Sequence, residues 1–241
     1  MRDELYKSTK KILNNFNFNE DTANVFNDML KRSVPHYYEI QNMICDITKH
    51  FLQKNSNIYD LGCSTGNTLL NILKELKTPK FMLIGIDNSE PMLKKAKKRL
   101  RKLRSLNKCK LLKRNLNTQI DFQNACIIIS SLTLQFILPT NRKKLISQIY
   151  NGLNKNGAFI LIEKIVFENK KINRTYTELY YNFKIRKGYS KLEILRKKRA
   201  LEKVLFPYRY EENVKLLKEA GFRVINEFFR WYNFCGILAI K

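Results

Sequence analysis

The sequence is short of the residues on which several large enzyme classes depend. It has only two histidines, His36 and His50, which leaves little for multi-histidine metal sites or histidine-based triads. Its five cysteines (Cys45, Cys63, Cys109, Cys126 and Cys235) are odd in number and contain no C-x-x-C pair, and two sit inside apolar runs. That usage fits reduced thiols rather than a disulfide frame or a zinc site, so no metal is expected. The longest purely apolar run, Ala125 to Ile129, is far too short to span a membrane. The opening stretch MRDELYKSTKK lacks an apolar h-region, and a cytoplasmic protein without membrane association is expected. Neither G-x-G-x-x-G nor G-K-[ST] occurs, which argues against a dinucleotide or a P-loop phosphate.

Acidic residues are also scarce: 21 against 46 Lys and Arg, a formal net charge of +25. Such a balance invites a nucleic-acid partner. However, Lys, Asn and Ile are abundant along the whole chain, as expected of a protein from an AT-rich genome. The densest basic run, LKKAKKRLRKLRS, places Leu93, Ala96, Leu100 and Leu103 at helical spacing and leaves its cations on a wet face. A basic RNA-binding module with a vestigial small-molecule pocket is one alternative; it predicts salt-sensitive RNA binding.

What is present is a rhythm of strands and helices in 241 residues, 44% of them hydrophobic, enough for one domain spanning 1–241. An N-terminal arm, loosely held to about Glu20, leads to a helix capped by Asp21 or Thr22. A second helix starts after Ser33 and Pro35, and together these occupy 1–52. NIYDLG then reads as a strand and GNTLLNILKELK as a helix. FMLIGID is the next strand, followed by a helix capped by Ser89 with Pro91 in its first turn. A weak strand at CKLLKR and a buried one at ACIIIS follow. The helix PTNRKKLISQIYNGL has Leu145, Ile149 and Leu153 inward, and NKNG leads into the strand AFILIEKIVF. A helical, Tyr- and Lys-rich insertion over 168–207 breaks the rhythm, and one more helix and two strands close the chain. The pattern predicts an α/β, doubly wound, mostly parallel sheet with a C-terminal antiparallel hairpin, a Rossmann-like class I methyltransferase fold.

In such sheets ligands lie beyond the carboxyl ends of the strands. The first strand delivers Asp60, Gly62, Cys63 and Ser64; the second, Asp87 and Asn88; the third, Asn115 and Leu116; the fourth, Ser130 and Ser131. A small-residue turn with a ribose-binding acid and polar groups for an adenine edge suits an adenosyl ligand without pyrophosphate, S-adenosylmethionine in particular. Each residue also has a plainer reading. Gly62 and Gly66 serve any strand-to-helix turn, Asp87 can cap a helix, and Cys63 has no nearby partner to make it a nucleophile.

The segments VFNDMLKRSVPHYYEI, YDLGCSTG, IGIDNSEPML, LTLQFILP, IYNGLNKNGAFILIEK and GYSKLEILRKKRALE carry a closer likeness. Over nearly its whole length the chain resembles the carboxy-S-adenosyl-L-methionine synthases, bacterial relatives of class I methyltransferases. The resemblance implies that S-adenosylmethionine and prephenate yield carboxy-S-adenosylmethionine and phenylpyruvate. Loss of carbon dioxide and hydroxide aromatises the prephenate ring, and an ylide at the acidic sulfonium methyl captures the carbon dioxide in a closed, dry site. It further implies a homodimer and a downstream tRNA carboxymethyltransferase that uses the product for wobble 5-carboxymethoxyuridine, with no direct nucleic-acid contact by this chain. Carried over by position, ligand contacts fall on Tyr37, Gly62, Cys63, Ser64, Asp87, Asn88, Asn115, Leu116, Ser131 and Arg199.

Two of these depart from the family pattern: Asn115 replaces Asp and Ser131 replaces Asn. The Asn115 amide oxygen can still accept from an adenine amino group, while the shorter Ser131 hydroxyl would reach its partner through a water. Tyr37 is expected to help close the pocket and Arg199 to grip a carboxylate. A Ser190–Glu193 capping box would start the helix of Arg199, where helical spacing turns Arg199 toward Leu192 and Leu195. The aromatic stretch from Tyr176 to Phe183 is expected to supply surface for dimer contact. No general base is evident. A conventional methyltransferase acting on RNA or a small molecule is the other enzymatic alternative.

Overall fold

The computed structural model describes residues 1–7, 15–76, 81–102 and 108–241; Leu103 and part of the N-terminal arm lie outside them. In chain order the elements are α1 (Glu20–Ser33), α2 (Tyr37–Phe51), β1 (Ser56–Leu61), α3 (Asn67–Glu75), β2 (Phe81–Asp87), α4 (Glu90–Lys102), β3 (Cys109–Lys113) and β4 (Ala125–Ser131). They continue with α5 (Pro139–Gly152), β5 (Leu153–Lys164), α6 (Lys170–Arg186), α7 (Lys191–Leu201), α8 (Tyr210–Ala220), β6 (Val224–Trp231) and β7 (Phe234–Ile240). The strands form one sheet in the order β3-β2-β1-β4-β5-β7-β6. The first five are parallel, and β7 runs antiparallel to both β5 and β6. This is the mostly parallel sheet with a terminal hairpin that the sequence predicts.

Alternation along the strands splits the core into two layers. Tyr59, Leu61 and Ile128 face the side packed by Leu145, Ile149 and Leu217 of α5 and α8. Ile58, Ile127 and Ile129 face Ile40 and Ile44 of α2 and Leu69 and Ile72 of α3. β4, buried on both faces, reads as a near-continuous apolar run, whereas β1 buries Ser56 and Asp60 among its apolar residues. The parallel strands all end at one edge, which gathers Leu61, Asp87, Lys113, Ser131 and Lys164 around a common rim.

Several local expectations are corrected. The cap of α1 is Asn19, whose side chain accepts from Thr22 N at 3.0 Å; the Thr22 hydroxyl is spent on Asn17 O at 2.7 Å. Leu153 is not the last inward residue of α5 but the first of β5, paired with Ala125, because α5 stops at Gly152, where a Cβ would lie 2.3 Å from Phe122 Cβ. The N-terminal arm is tied down where it is described. Asp3 is 1% exposed and accepts from the Tyr189 hydroxyl at 2.5 Å, while Phe16 N donates to Ala200 O and Arg196 donates to Tyr6 O and Lys7 O. The aromatics of α6 also pack within the chain, with Tyr180 buried and Tyr176, Tyr181 and Phe183 half-buried. Tyr176 packs on Phe167 and Tyr232, Phe183 on Trp231, and Tyr180 on Phe234. The capping box of α7 forms as expected, with Ser190 Oγ accepting from Glu193 N and Glu193 accepting from Ser190 N.

Candidate active site

Beyond the carboxyl edge of the sheet lies a cavity of about 510 Å³, within the range of small-molecule sites. α1 and α2 wall one side, and α6 and α7 with the segment after α7 wall the other.

The turn after β1 is shaped by close approach. Gly62 has φ +70°, and a Cβ there would lie 2.3 Å from Thr133 Oγ1, so only glycine fits. Gly62 N and Cys63 N both donate to Ile86 O, at 2.8 and 3.0 Å, which ties this turn to the end of β2. Ser64, also at positive φ (49°), donates its backbone N–H to Asp87 Oδ2 at 2.9 Å. The other Asp87 oxygen accepts from Ser89 N at 2.8 Å. Asp87 therefore organises two loops, and each carboxylate oxygen keeps a lone pair for a ligand hydroxyl. Ser89 Oγ in turn accepts from Met92 N at 3.3 Å and caps α4 as predicted.

Asp60, one of the strand-end residues but not among the contacts that the family resemblance implies, is central to the site. It lines the cavity, is 2% exposed, and its Oδ2 has no hydrogen-bond partner among the described residues. Burial, and secondarily the Asp87 charge, push its carboxyl up to about 8. A buried, unpartnered carboxyl beside a second carboxylate suits a cationic ligand, and the glycine turn beside it gives that ligand's backbone contacts. S-adenosylmethionine, with its sulfonium and ammonium, fits both features. The signal was visible, since Asp60 stands at the end of a buried strand where a carboxylate has no structural reason to be.

Of the positions named from sequence, Tyr37, Gly62, Cys63, Ser64, Asp87 and Asn88 line this one cavity. Asn115, Leu116 and Ser131 line it too. Tyr37 opens α2; its hydroxyl accepts from Asn67 Nδ2 at 2.7 Å, and Asn67 Oδ1 accepts from Arg99 at 2.6 Å, so the ring is held by a chain of bonds from α4. Burial drives its phenol well above the ordinary value. The Cys63 thiol is likewise raised well above normal, first by burial and then by Asp60 and Asp87, which removes thiolate chemistry and leaves a packing role. Asn115 Oδ1 accepts from Asn117 N at 3.0 Å and from Asn117 Nδ2 at 3.2 Å, so the amide oxygen expected to meet adenine already has two donors. Ser131 stands at the end of β4, and its carbonyl accepts from Thr133 Oγ1 at 3.2 Å.

Arg199 is not brought into this cavity. The inner face of α7 consists of Glu193, Ile194, Lys197 and Ala200, whereas Leu192 and Leu195 are 52% and 51% exposed and Arg199 is exposed beside them. Arg199 shares a stripe with these leucines, but the expectation that this stripe turns it away from water fails, because the stripe is the outer one. The cations that do line the cavity are Lys164, Lys184, Lys197, Lys198 and Arg114. Lys164 follows the same strand-end rule as Asp87 and was legible by it; Lys184 and Lys197 have no comparable sequence signal.

Among the described residues no cluster of His, Cys, Asp or Glu is arranged for a metal ion, and no helix is long and apolar enough to cross a membrane.

Comparison with known proteins places this architecture. The sequence profile of the methyltransferase-domain family matches residues 58–157, from β1 into β5. The chain is 43% identical to the carboxy-S-adenosyl-L-methionine synthase of Methylococcus capsulatus over 240 residues, covering 100% of this chain and 99% of that protein. It is also 43% identical to the protein of the same name from Nautilia profundicola over 245 residues, covering all of both chains. Among solved structures, a putative S-adenosyl-L-methionine-dependent methyltransferase from Methanococcus maripaludis superposes with a TM-score of 0.62. It is 19% identical and covers 94% of each chain, a likeness of fold.

Proposed function

Because the chain belongs to the carboxy-S-adenosyl-L-methionine synthase family, we propose that it makes carboxy-S-adenosyl-L-methionine from S-adenosyl-L-methionine and prephenate, releasing phenylpyruvate. The observation that carries this reading is the extent of the identity. It covers the whole chain, including α6 and α7, and not only the methyltransferase-like part from 58 to 157. The overall change balances. Prephenate gives up its ring carboxyl as carbon dioxide and its ring hydroxyl as hydroxide, and the sulfonium methyl gives up a proton and gains the carbon dioxide. Proton and hydroxide leave as water.

The chain's own residues contribute binding, orientation and exclusion of water. The Gly62 turn brings backbone close to the adenosyl donor, Asp87 accepts from ribose hydroxyls, and Leu116 packs beside the base. Asp60 supplies a carboxylate for the donor's positive charge. Tyr37 closes the pocket from α2. Phe16, Phe18 and Phe136 cover the cavity with apolar surface, which keeps bulk water from the released carbon dioxide. Ser131 is proposed as a donor contact at the end of β4, with Asn88, Asn115, Cys63 and Ser64 completing the adenosyl end.

Arg199 is proposed to hold a carboxylate from outside its own cavity, which requires a second copy to open its site against α7. A homodimer supplies that arrangement, and the exposed Leu192 and Leu195 give it apolar contact. The product is proposed to pass to a tRNA carboxymethyltransferase acting on the wobble uridine, in the cytoplasm, with no nucleic acid bound by this chain. Phenylpyruvate formation tests the reading. With S-adenosylmethionine and prephenate both present, the purified protein should release phenylpyruvate well above the rate with prephenate alone. Equal rates with and without the adenosyl donor would refute it. A conventional methyltransferase, by contrast, would transfer methyl groups in the absence of prephenate.

A further inference from the structure

One group of cavity residues is not accounted for by an adenosyl ligand. Lys164 at the end of β5, Lys184 on α6 and Lys197 on α7 converge on the same part of the wall. Lys184 and Lys197 are 6% and 7% exposed. Their neighbours are aromatic faces. Lys164 Nζ lies 5.0 Å and Lys184 Nζ 5.1 Å from the Tyr180 ring centroid, and Lys184 and Lys197 lie 6.0 and 5.7 Å from that of Tyr189. Tyr180 and Tyr189 are themselves held, by a hydrogen bond to Ser33 O at 2.9 Å and by one to Asp3 at 2.5 Å.

Charge is badly out of balance here. The one carboxylate paired with the cluster among the described residues is Asp3, 3.7 Å from Lys197. Asp3 also accepts from the Tyr189 hydroxyl, and its carbonyl accepts from Arg32. Among the described residues neither Lys164 nor Lys184 has a carboxylate within ion-pair distance. Glu202 lines the same cavity and Lys198 adds a further cation at the rim. Ring faces offset only part of the cost of burying an ammonium, and two buried lysines and a half-buried third beside one acid are a destabilising arrangement that folding alone does not call for. An anion entering the cavity would repair it.

We propose that Lys164, Lys184 and Lys197 form the subsite for the carboxylates of the second substrate, opposite in charge to the Asp60–Asp87 end of the same cavity. This rests on the reading that the second substrate is a small dicarboxylate. The cavity then has two poles, acids for a cationic donor and lysines for an anionic acceptor, which orient the two molecules toward each other before any chemistry. The titration behaviour agrees. Burial and the neighbouring lysines lower the Lys184 ammonium well below its ordinary range, and Lys164 falls to about 8. An empty subsite therefore holds its protons less firmly than free lysines do, and a bound dicarboxylate would tighten that hold.

The test is calorimetric titration of prephenate into protein saturated with S-adenosylhomocysteine, which lacks the reactive methyl and permits no turnover. It is run in two buffers of different ionisation enthalpy, on the wild type, Lys184→Met, Lys197→Met and Lys184→Arg. At pH 8, where an empty Lys164 is about half protonated, wild type should bind prephenate with net proton uptake. Each Met variant should lose tenfold or more in prephenate affinity while S-adenosylhomocysteine affinity changes less than threefold, and Lys184→Arg should stay within a few-fold of wild type. The thermal midpoint of unliganded Lys184→Met should rise rather than fall, because a binding lysine is kept at a cost in stability. No binding to the wild type, unchanged affinity in both Met variants, or a parallel loss of adenosyl binding would each overturn the subsite. Prephenate binding without any carboxylated product would sink the proposed reaction and leave the subsite standing; product formation with unchanged affinity in the variants would do the reverse.

Discussion

At the scale of single residues, Gly62 and Asp60 set the character of the donor end. Gly62→Ala forces a Cβ against Thr133 Oγ1 and Cγ2, which lie 2.3 and 2.6 Å from its position, at a φ that L-residues rarely adopt. A loss of about 1–3 kcal/mol in stability is expected, together with weakened S-adenosylmethionine binding. Thr133→Ala in the same chain should recover part of both, since the clash is with its side chain; denaturant titration of the four species of the cycle measures this. Asp60 carries a proton signature. With its carboxyl near 8, it is largely protonated at pH 7 in the free protein and must ionise to pair with a sulfonium or ammonium. Donor binding should therefore release protons at pH 7, and Asp60→Asn should abolish that release while weakening binding.

The same shift has a sign in stability. The folded state holds the Asp60 proton from the ordinary carboxylate range up to about 8, so the contribution of Asp60 falls as pH rises through that window. Asp60→Asn should thus gain thermal midpoint over wild type progressively between about pH 4 and 8. A buried unpaired charge worth about 1–3 kcal/mol corresponds to roughly 2–10 °C in a chain of this size. Parallel melting curves of the two proteins across that pH range would decide it; a constant difference would mean that the carboxyl titrates normally.

At the scale of elements, the strands and the glycine turn were legible from sequence because their constraints are local. A buried parallel strand such as β4 is largely apolar, and the turn after β1 must be small. The outer limits were less so. Asn19 outcompeted Asp21 and Thr22 as a cap because its side chain alone sits one turn before the amide of Thr22. α7 shows a different limit. KLEILRKKRAL mixes leucine and lysine on every face, so helical spacing groups Leu192, Leu195 and Arg199 correctly but does not say which group faces inward. What decides is tertiary. The rings of Tyr180 and Tyr189 accept ammonium groups, which lets Lys197 turn in while two leucines turn out. Capping at the start of this helix is nonetheless a local matter. Ser190→Ala removes the acceptor for Glu193 N, and a loss of about 1 kcal/mol is expected by chemical denaturation. Because α7 carries Lys197, the apparent affinity for prephenate should fall with it, whereas donor affinity should hold.

At the scale of the whole molecule, the fold brings carboxyl groups and lysines to one cavity through elements far apart in sequence. Asp60 and Asp87 come from adjacent parallel strands, and the lysines come from β5 and the two helices that follow it. The N-terminal arm adds to the wall, with Asp3 lodged among Tyr189, Lys197 and Arg32 and with Phe16 and Phe18 lining the cavity. That apolar wall suits the proposed carboxyl transfer, in which a released carbon dioxide must meet the methyl carbon before it meets water. The most direct test follows the carbon. The purified protein is incubated with S-adenosylmethionine and prephenate labelled with ¹³C at the ring carboxyl, and the adenosyl products are read by mass spectrometry. The account predicts a species heavier than S-adenosylmethionine by one labelled carbon dioxide, formed in step with phenylpyruvate and absent without prephenate. Unlabelled or absent carboxylated product, from folded protein that binds S-adenosylmethionine, would contradict it.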